Sequence, residues 1–348
     1  MHSNPTGTLV PGLPSKPMTR RERIRKTLAG EPADRPPISF WRHFYHREGT
    51  AADLAASMLE FQKRFDWDLL KVNPRASYHV EDWGVRTARP GTGPLDKPKV
   101  VSSPVVEPAD WEKIRPLDPT RGVLGEHLDA LERIAAEVQG EVDWLMTVFN
   151  PISIAADLVN DDARFQDHLR NHGERVHGAL RAITETYAGF ARECAARGAS
   201  GLFFATTDWA NDTRIDRAAM EEFGRPYDRR VLAEAAALPL NTIHVCGPGA
   251  YVDAFLEYPV SIVSWADRAP RNPSIATLRA RTTKTLLAGV AHDGVFLSGP
   301  SDAVQEEARR ALGEAGGSRF ILGPGCAVPA AAPLEHFQAV REVALACA

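Results

Sequence analysis

Cysteine is scarce in this sequence: four residues in 348, at Cys194, Cys246, Cys326 and Cys347. They are too few and too scattered for a disulfide scaffold, so reduced thiols are expected. No apolar run approaches the ~20 residues of a membrane span, and the N-terminus has no hydrophobic signal core. A cytoplasmic protein without a membrane partner is the expectation. A surplus of one charge is missing too, since the formal net charge is −4 and the pI near 6.3. That excludes the basic footprint of a nucleic-acid or anionic-membrane binder. There is no repeat of fixed period, and no low-complexity tract beyond residues 1–18. That stretch holds Pro5, Pro11, Pro14 and Pro17 and reads as a flexible tail.

What is present is regular. From Thr19 a short helix opens, capped by that threonine and broken at Gly30. Eight apolar segments follow: Pro37–Phe44, Trp67–Asn73, Asp143–Phe149, Ser200–Thr206, Leu240–Gly247, Val260–Ala266, Lys284–Val290 and Arg319–Gly323. Between them lie stretches of helical period, among them Val123–Val138, Asp167–Arg197, Arg217–Ala237, Ser301–Leu312 and Leu334–Ala344. Strand alternating with helix implies parallel strands and right-handed crossovers, and eight units fit a closed (β/α)8 TIM barrel formed by residues 19–348 as one domain. The long interval Pro74–Pro116 predicts an inserted hairpin, Tyr78–Arg86 with Lys99–Val106, lying over the barrel mouth.

The candidate chemistry sits at strand ends. In Asn241-Thr-Ile-His-Val-Cys-Gly247 the extended chain sends His244 and Cys246 to one face, and Gly247 ends the strand just beyond. After the eighth segment comes Gly323-Pro-Gly-Cys326, a second thiol at the same rim. Imidazole and thiolate are zinc ligands, and three of them leave room for a substrate. Asp267, closing the sixth segment, is a candidate fourth ligand. A single strand cysteine is more often a small core hydrophobe, and a single histidine more often simply hydrogen-bonded. Three such residues at two ends of one rim favour zinc.

The opening Arg21-Glu-Arg-Ile-Arg-Lys-Thr-Leu-Ala-Gly-Glu-Pro-Ala-Asp-Arg-Pro-Pro37, with Ala199–Phe204 and Pro333–Val340, resembles the uroporphyrinogen decarboxylase superfamily from residue 19 onward. The resemblance implies an eight-stranded barrel. True decarboxylases of that superfamily carry an Arg-Gln-Ala-Gly-Arg-Tyr loop after the first strand and an aspartate after the second. Here those places read Trp41-Arg42-His43-Phe44-Tyr45-His46 and Val72-Asn73-Pro74-Arg75, which matches an eightfold-charged tetrapyrrole poorly. The superfamily's zinc methyltransferases carry His-x-Cys-Gly at the fifth strand and Gly-Cys after the eighth, which is similar to His244, Cys246, Gly247 and Gly325, Cys326.

By that likeness the chain is expected to move a methyl group between a small donor or thiol acceptor and a corrinoid (methylcobalamin). The corrinoid would be free or carried on a corrinoid protein, because no cobalamin-binding signature is present in this chain. Homodimerisation is implied by analogy alone. His244, Cys246 and Cys326 would be catalytic and, with Asp267, hold the zinc. Trp41, His43, His46, Asn73, Arg75, Asp208 and His292 would contact substrate, and Asp208 could also orient His244. His127, His168, His172 and His177 are expected at helix surfaces. A decarboxylase acting on a smaller tetrapyrrole and a non-catalytic binding barrel stay open.

Overall fold

The computed structural model describes residues 17–347, so residues 1–16 of the expected tail lie outside the described part. The strands are β1 (Leu69–Val72), β2 (Arg86–Ala88), β3 (Lys99–Ser102), β4 (Asp143–Phe149), β5 (Gly201–Ala205), β6 (Thr242–Val245), β7 (Ile262–Trp265), β8 (Thr285–Val290) and β9 (Phe320–Pro324). Seven of them form one parallel sheet in the order β1-β4-β5-β6-β7-β8-β9, with helices between successive strands. Each of these seven falls inside a predicted apolar segment or within one residue of its end.

The eighth position differs from expectation. Pro37–Phe44 is not a regular strand but makes two isolated parallel bridges, Ile38 to Leu322 and Arg42 to Val328. On its other side the Asp68 N–H donates to Ile38 O at 2.9 Å, and Ser39 Oγ donates to Leu69 O at 2.8 Å. Pro36 and Pro37 have no N–H to start a ladder, and the Ile38 N–H goes to the Asp68 carboxylate instead. The segment still fills the gap between β9 and β1, and the ring closes as a (β/α)8 barrel.

Alternation along the strands sorts the core into two layers. Leu69, Leu145, Phe203, Ile262, Leu287 and Ile321 pack inside the ring. Leu70, Val72, Phe204, Ile243, Val263 and Leu286 pack outward against the helices. Helix Arg20–Ala29 starts at Thr19 with a reciprocal bond to Glu22 and ends at Gly30 in left-handed backbone. It sends Ile24 into the inner cluster and is clamped by Arg23 and Arg35 on the fully buried Asp68, with Nη1 to carboxylate distances of 2.6 Å each. Two of the predicted helical stretches, Asp167–Arg197 and Arg217–Ala237, are each broken once, while Val123–Val138, Ser301–Leu312 and Leu334–Ala344 each lie within a single helix. Asp162–Asn171 and Gly173–Ala196 meet at His172, and Arg217–Phe223 and Arg225–Ala233 meet at Gly224, where Pro226 starts a new helix.

The insertion is shorter in β-structure than expected. Tyr78–Glu81 forms a helical turn, and only β2 and β3 pair, antiparallel and exposed. Pro74, Arg75 and Ala76 are the residues of the insertion that line the central cavity, and next to β2 the Arg89 side chain donates to Tyr45 O at 2.7 Å on the loop after Pro37–Phe44. His127 and His168, expected at the surface, are buried. His127 donates from Nδ1 to Val123 O and accepts the Arg75 N–H, and His168 accepts from the Trp111 indole. Among the described residues no helix is long and apolar enough to cross a membrane.

Candidate metal centre

His244 points inward from β6, and Cys246, two residues on, faces the same way just past the strand. Gly247 follows with φ +82, a left-handed turn in which a Cβ would stand 3.0 Å from both Asn211 Nδ2 and Asp208 Oδ1. Cys326 arrives from the end of β9 after Gly325, where a Cβ would stand 3.0 Å from Ala266 Cα. The ligand atoms of His244, Cys246 and Cys326 lie within 4.8 Å of one another, with the two sulfurs 3.4 Å apart. The strand ends thus bring together residues that are 80 positions apart.

The imidazole is held from two sides. Its Nδ1 is 3.0 Å from Ser264 Oγ, on the residue directly opposite in β7, and the Phe203 ring stacks on it at 5.1 Å. Its Nε2 is buried and has no hydrogen-bond partner. A buried ring nitrogen with no partner, aimed at two sulfurs, is what a metal site would require. The thiols are electrostatically matched. Cys326 is drawn well below the usual thiol range by the hydrogen bond from Cys246 and by the nearby His244 and His292, and the same bond, with burial, pushes Cys246 up. Cys326 is thus ready as a thiolate, and a divalent cation bound there would displace the proton that Cys246 keeps. The donor set fits zinc.

The other expected contacts separate into those that reach this centre and those that do not. Trp41, His43, Asn73, Arg75 and Asp208 line a cavity of about 220 Å³ together with the three ligands. His292 lines a second cavity, about 400 Å³, which shares Asp208 and Cys246 with the first. His46 is exposed on a short 3-10 turn and lines neither. Asp267 stands outside the cluster of three, because its carboxylate accepts the Gly289 N–H at 2.9 Å and pairs with Arg268 at 3.1 Å. Burial lifts its carboxyl to about 6 against the Arg268 charge. Ser264, not Asp208, orients His244. Asp208 is raised by burial and then by Cys326, and lies beside Cys246 where the two cavities meet.

The arginines next to the site are already engaged. Arg42 donates to Ala330 O and Ala332 O and packs over Phe44 and Phe337. Arg75 pairs with Glu81 and Glu126 at 3.1 Å each. Sequence reasoning missed two inward residues, Lys71 and Ser264. Both were accessible to the period of two that singled out His244, since Lys71 precedes Asn73 by two and Ser264 faces His244 across the ladder. Thr207, another wall residue, holds φ +45, a strained conformation for a β-branched residue.

Residues 19–346 match the family model described as Uroporphyrinogen decarboxylase (URO-D). Among solved structures the chain is similar to a methyltransferase from Methanosarcina mazei, at 19% identity and TM-score 0.77, covering 94% of this chain and 98% of that one. It is also similar to a B12-independent methionine synthase from a Shewanella species, at 13% identity and TM-score 0.56, covering 86% of each. No curated protein matches it in sequence. At these identities the structural likeness shows the fold.

Proposed function

This chain belongs to the uroporphyrinogen decarboxylase family, and we propose that within it the protein is a zinc-dependent methyltransferase. It would move a methyl group between a small donor or thiol acceptor and a corrinoid brought from outside the chain. The observation that carries this reading is the convergence of His244, Cys246 and Cys326 within 4.8 Å, with one buried imidazole nitrogen left unpartnered. The similarity in fold to a structure described as a methyltransferase from Methanosarcina mazei supports it.

His244 Nε2 and the two sulfurs would hold the ion. When bound, zinc would serve as a Lewis acid toward an ether oxygen or keep an entering thiol as thiolate at neutral pH. One neutral imidazole and two thiolates around a dication sum to no net charge, which favours exchange at the open position. The chain's own groups do the rest. Ser264 fixes the imidazole, and Trp41, Phe149 and Phe203 give the inner cavity apolar walls. Asp208, whose carboxyl is raised by burial, can hold a proton next to Cys246.

The inner cavity, about 220 Å³, meets the second, about 400 Å³, at Asp208 and Cys246, which gives room for a small substrate beside the candidate ligands. The decarboxylase alternative has less support. It needs cations for several carboxylates, and with Arg42 and Arg75 committed elsewhere Lys71 is left as a single cation on the inner wall. Elemental analysis of protein purified without added metal tests the proposal. Near-stoichiometric zinc, lost in Cys246→Ser and Cys326→Ser while the fold is kept, is the expected result. Zinc-free protein with full decarboxylase activity would overturn it.

A further inference from the structure

Lys71 sits on the inner wall of β1 with 5% of its surface exposed. Its ammonium lies 5.3 Å from the Trp41 ring centre and 4.7 Å from that of Phe203, and it donates to Asn73 Oδ1. An ammonium has three N–H donors, and that bond uses one. Among the described residues no carboxylate oxygen lies within ion-pair distance of it. The Asn73 amide nitrogen is likewise buried and without a partner. Both residues line the same inner cavity as His244, Cys246 and Cys326.

A buried charge is costly unless something of opposite sign answers it, and burial pulls the Lys71 ammonium down to about 7, so an anion bound beside it would also hold its proton in place. The two sulfurs cannot do so once a divalent cation binds between them, because their charges are then spent on the metal. What remains is Lys71, which the Glu48 carboxylate answers only from beyond ion-pair distance, with an amide N–H2 beside it, in a cavity that Trp41, His43, Arg75, Phe149 and Phe203 also line. A carboxylate offers two oxygens, one for the Lys71 ammonium and one for Asn73 Nδ2, in a charge-assisted pair. The aromatic walls suit a flat apolar body behind it.

We propose that Lys71 and Asn73 form a carboxylate subsite, and that the small molecule handled at this centre is an organic acid with a flat apolar body. The proposal rests on the methyl-transfer reading for what happens to that acid, but the subsite can be tested apart from it. Calorimetric titration of the zinc-loaded full chain with benzoate, and in parallel with its neutral analogue benzamide, measures the preference for an anion. Benzoate is expected to bind at least about tenfold more tightly than benzamide. Lys71→Met is expected to abolish that preference with zinc content unchanged, and Lys71→Arg to retain part of it.

Should Lys71→Met fail to fold, Asn73→Leu reads the same preference and is expected to reduce it severalfold. Equal affinity for the two probes, or no binding of either, overturns the subsite. So does a preference that survives Lys71→Met, which would put the anion on the metal. Zinc content of the same samples separates the two ideas: full zinc without anion preference sinks the subsite alone, whereas absent zinc sinks the methyl-transfer reading.

Discussion

Ser264→Ala tests the metal site most sharply because it leaves all three ligands in place. The hydroxyl is fully buried and stands 3.0 Å from His244 Nδ1, on the residue opposite in the ladder. For Nε2 to present its lone pair to an ion, the ring proton must stay on Nδ1, and Ser264 Oγ is the acceptor that keeps it there. Removing that oxygen leaves a buried N–H unpaired, at a cost of about 1–3 kcal/mol. Loss of the group that orients a metal-bound histidine typically weakens binding by about 10–100-fold, or ~1.4–2.8 kcal/mol. Competition against a chromophoric zinc chelator at pH 7 measures it. The dissociation constant should rise by about one to two decades while saturating zinc still loads the protein fully. An unchanged dissociation constant in a folded variant would refute the argument, because it would mean that His244 does not bind through Nε2 or does not depend on its neighbour.

Other outcomes follow from buried charges. Asp228 is fully buried, and burial pushes its carboxyl up to about 7 against hydrogen bonds from Tyr258 and Asn150. The folded chain therefore keeps a proton that the unfolded chain, near ~3.9, gives up, so stability falls as pH rises from about 4 to about 7 and then levels. Urea midpoints should show a loss of about 2 kcal/mol between pH 5 and pH 7 from this group, and Asp228→Asn should flatten that slope. Asp68→Asn, which strips the shared partner from Arg23 and Arg35, should cost about 3–5 kcal/mol in urea unfolding. Asp267→Asn should leave zinc content unchanged, since its carboxylate is held by Gly289 and Arg268; a drop in stoichiometry would restore it as a ligand.

The site is an inner surface built by alternation. Lys71 and Asn73 on one strand, and His244 and Cys246 on another, face the axis for the same reason, a period of two, and Cys326 enters from the loop after β9. Their chemistry is complementary. Soft donors that suit a cation gather on one wall, and an ammonium with an open amide stands on another.

Local pattern in the sequence determined the seven ladder strands, the Thr19 cap, the Gly30 stop and the inward pairing of His244 with Cys246, because each depends on residues within a few positions of one another. The candidate ligand set was legible too, since a glycine after a strand marks where a barrel's rim begins. Long-range packing decided the remainder. Whether Pro37–Phe44 would make a ladder turned on the Asp68 carboxylate taking the Ile38 N–H. Asp267 was claimed by Gly289, 22 positions on, together with its neighbour Arg268, and His244 found Ser264, 20 positions away on the next strand. Lys71 became a feature of the site only when Trp41, Phe203 and Asn73 closed around it. A charge inside an apolar strand says that something must answer it, and only the assembled ring shows what stands nearby to do so.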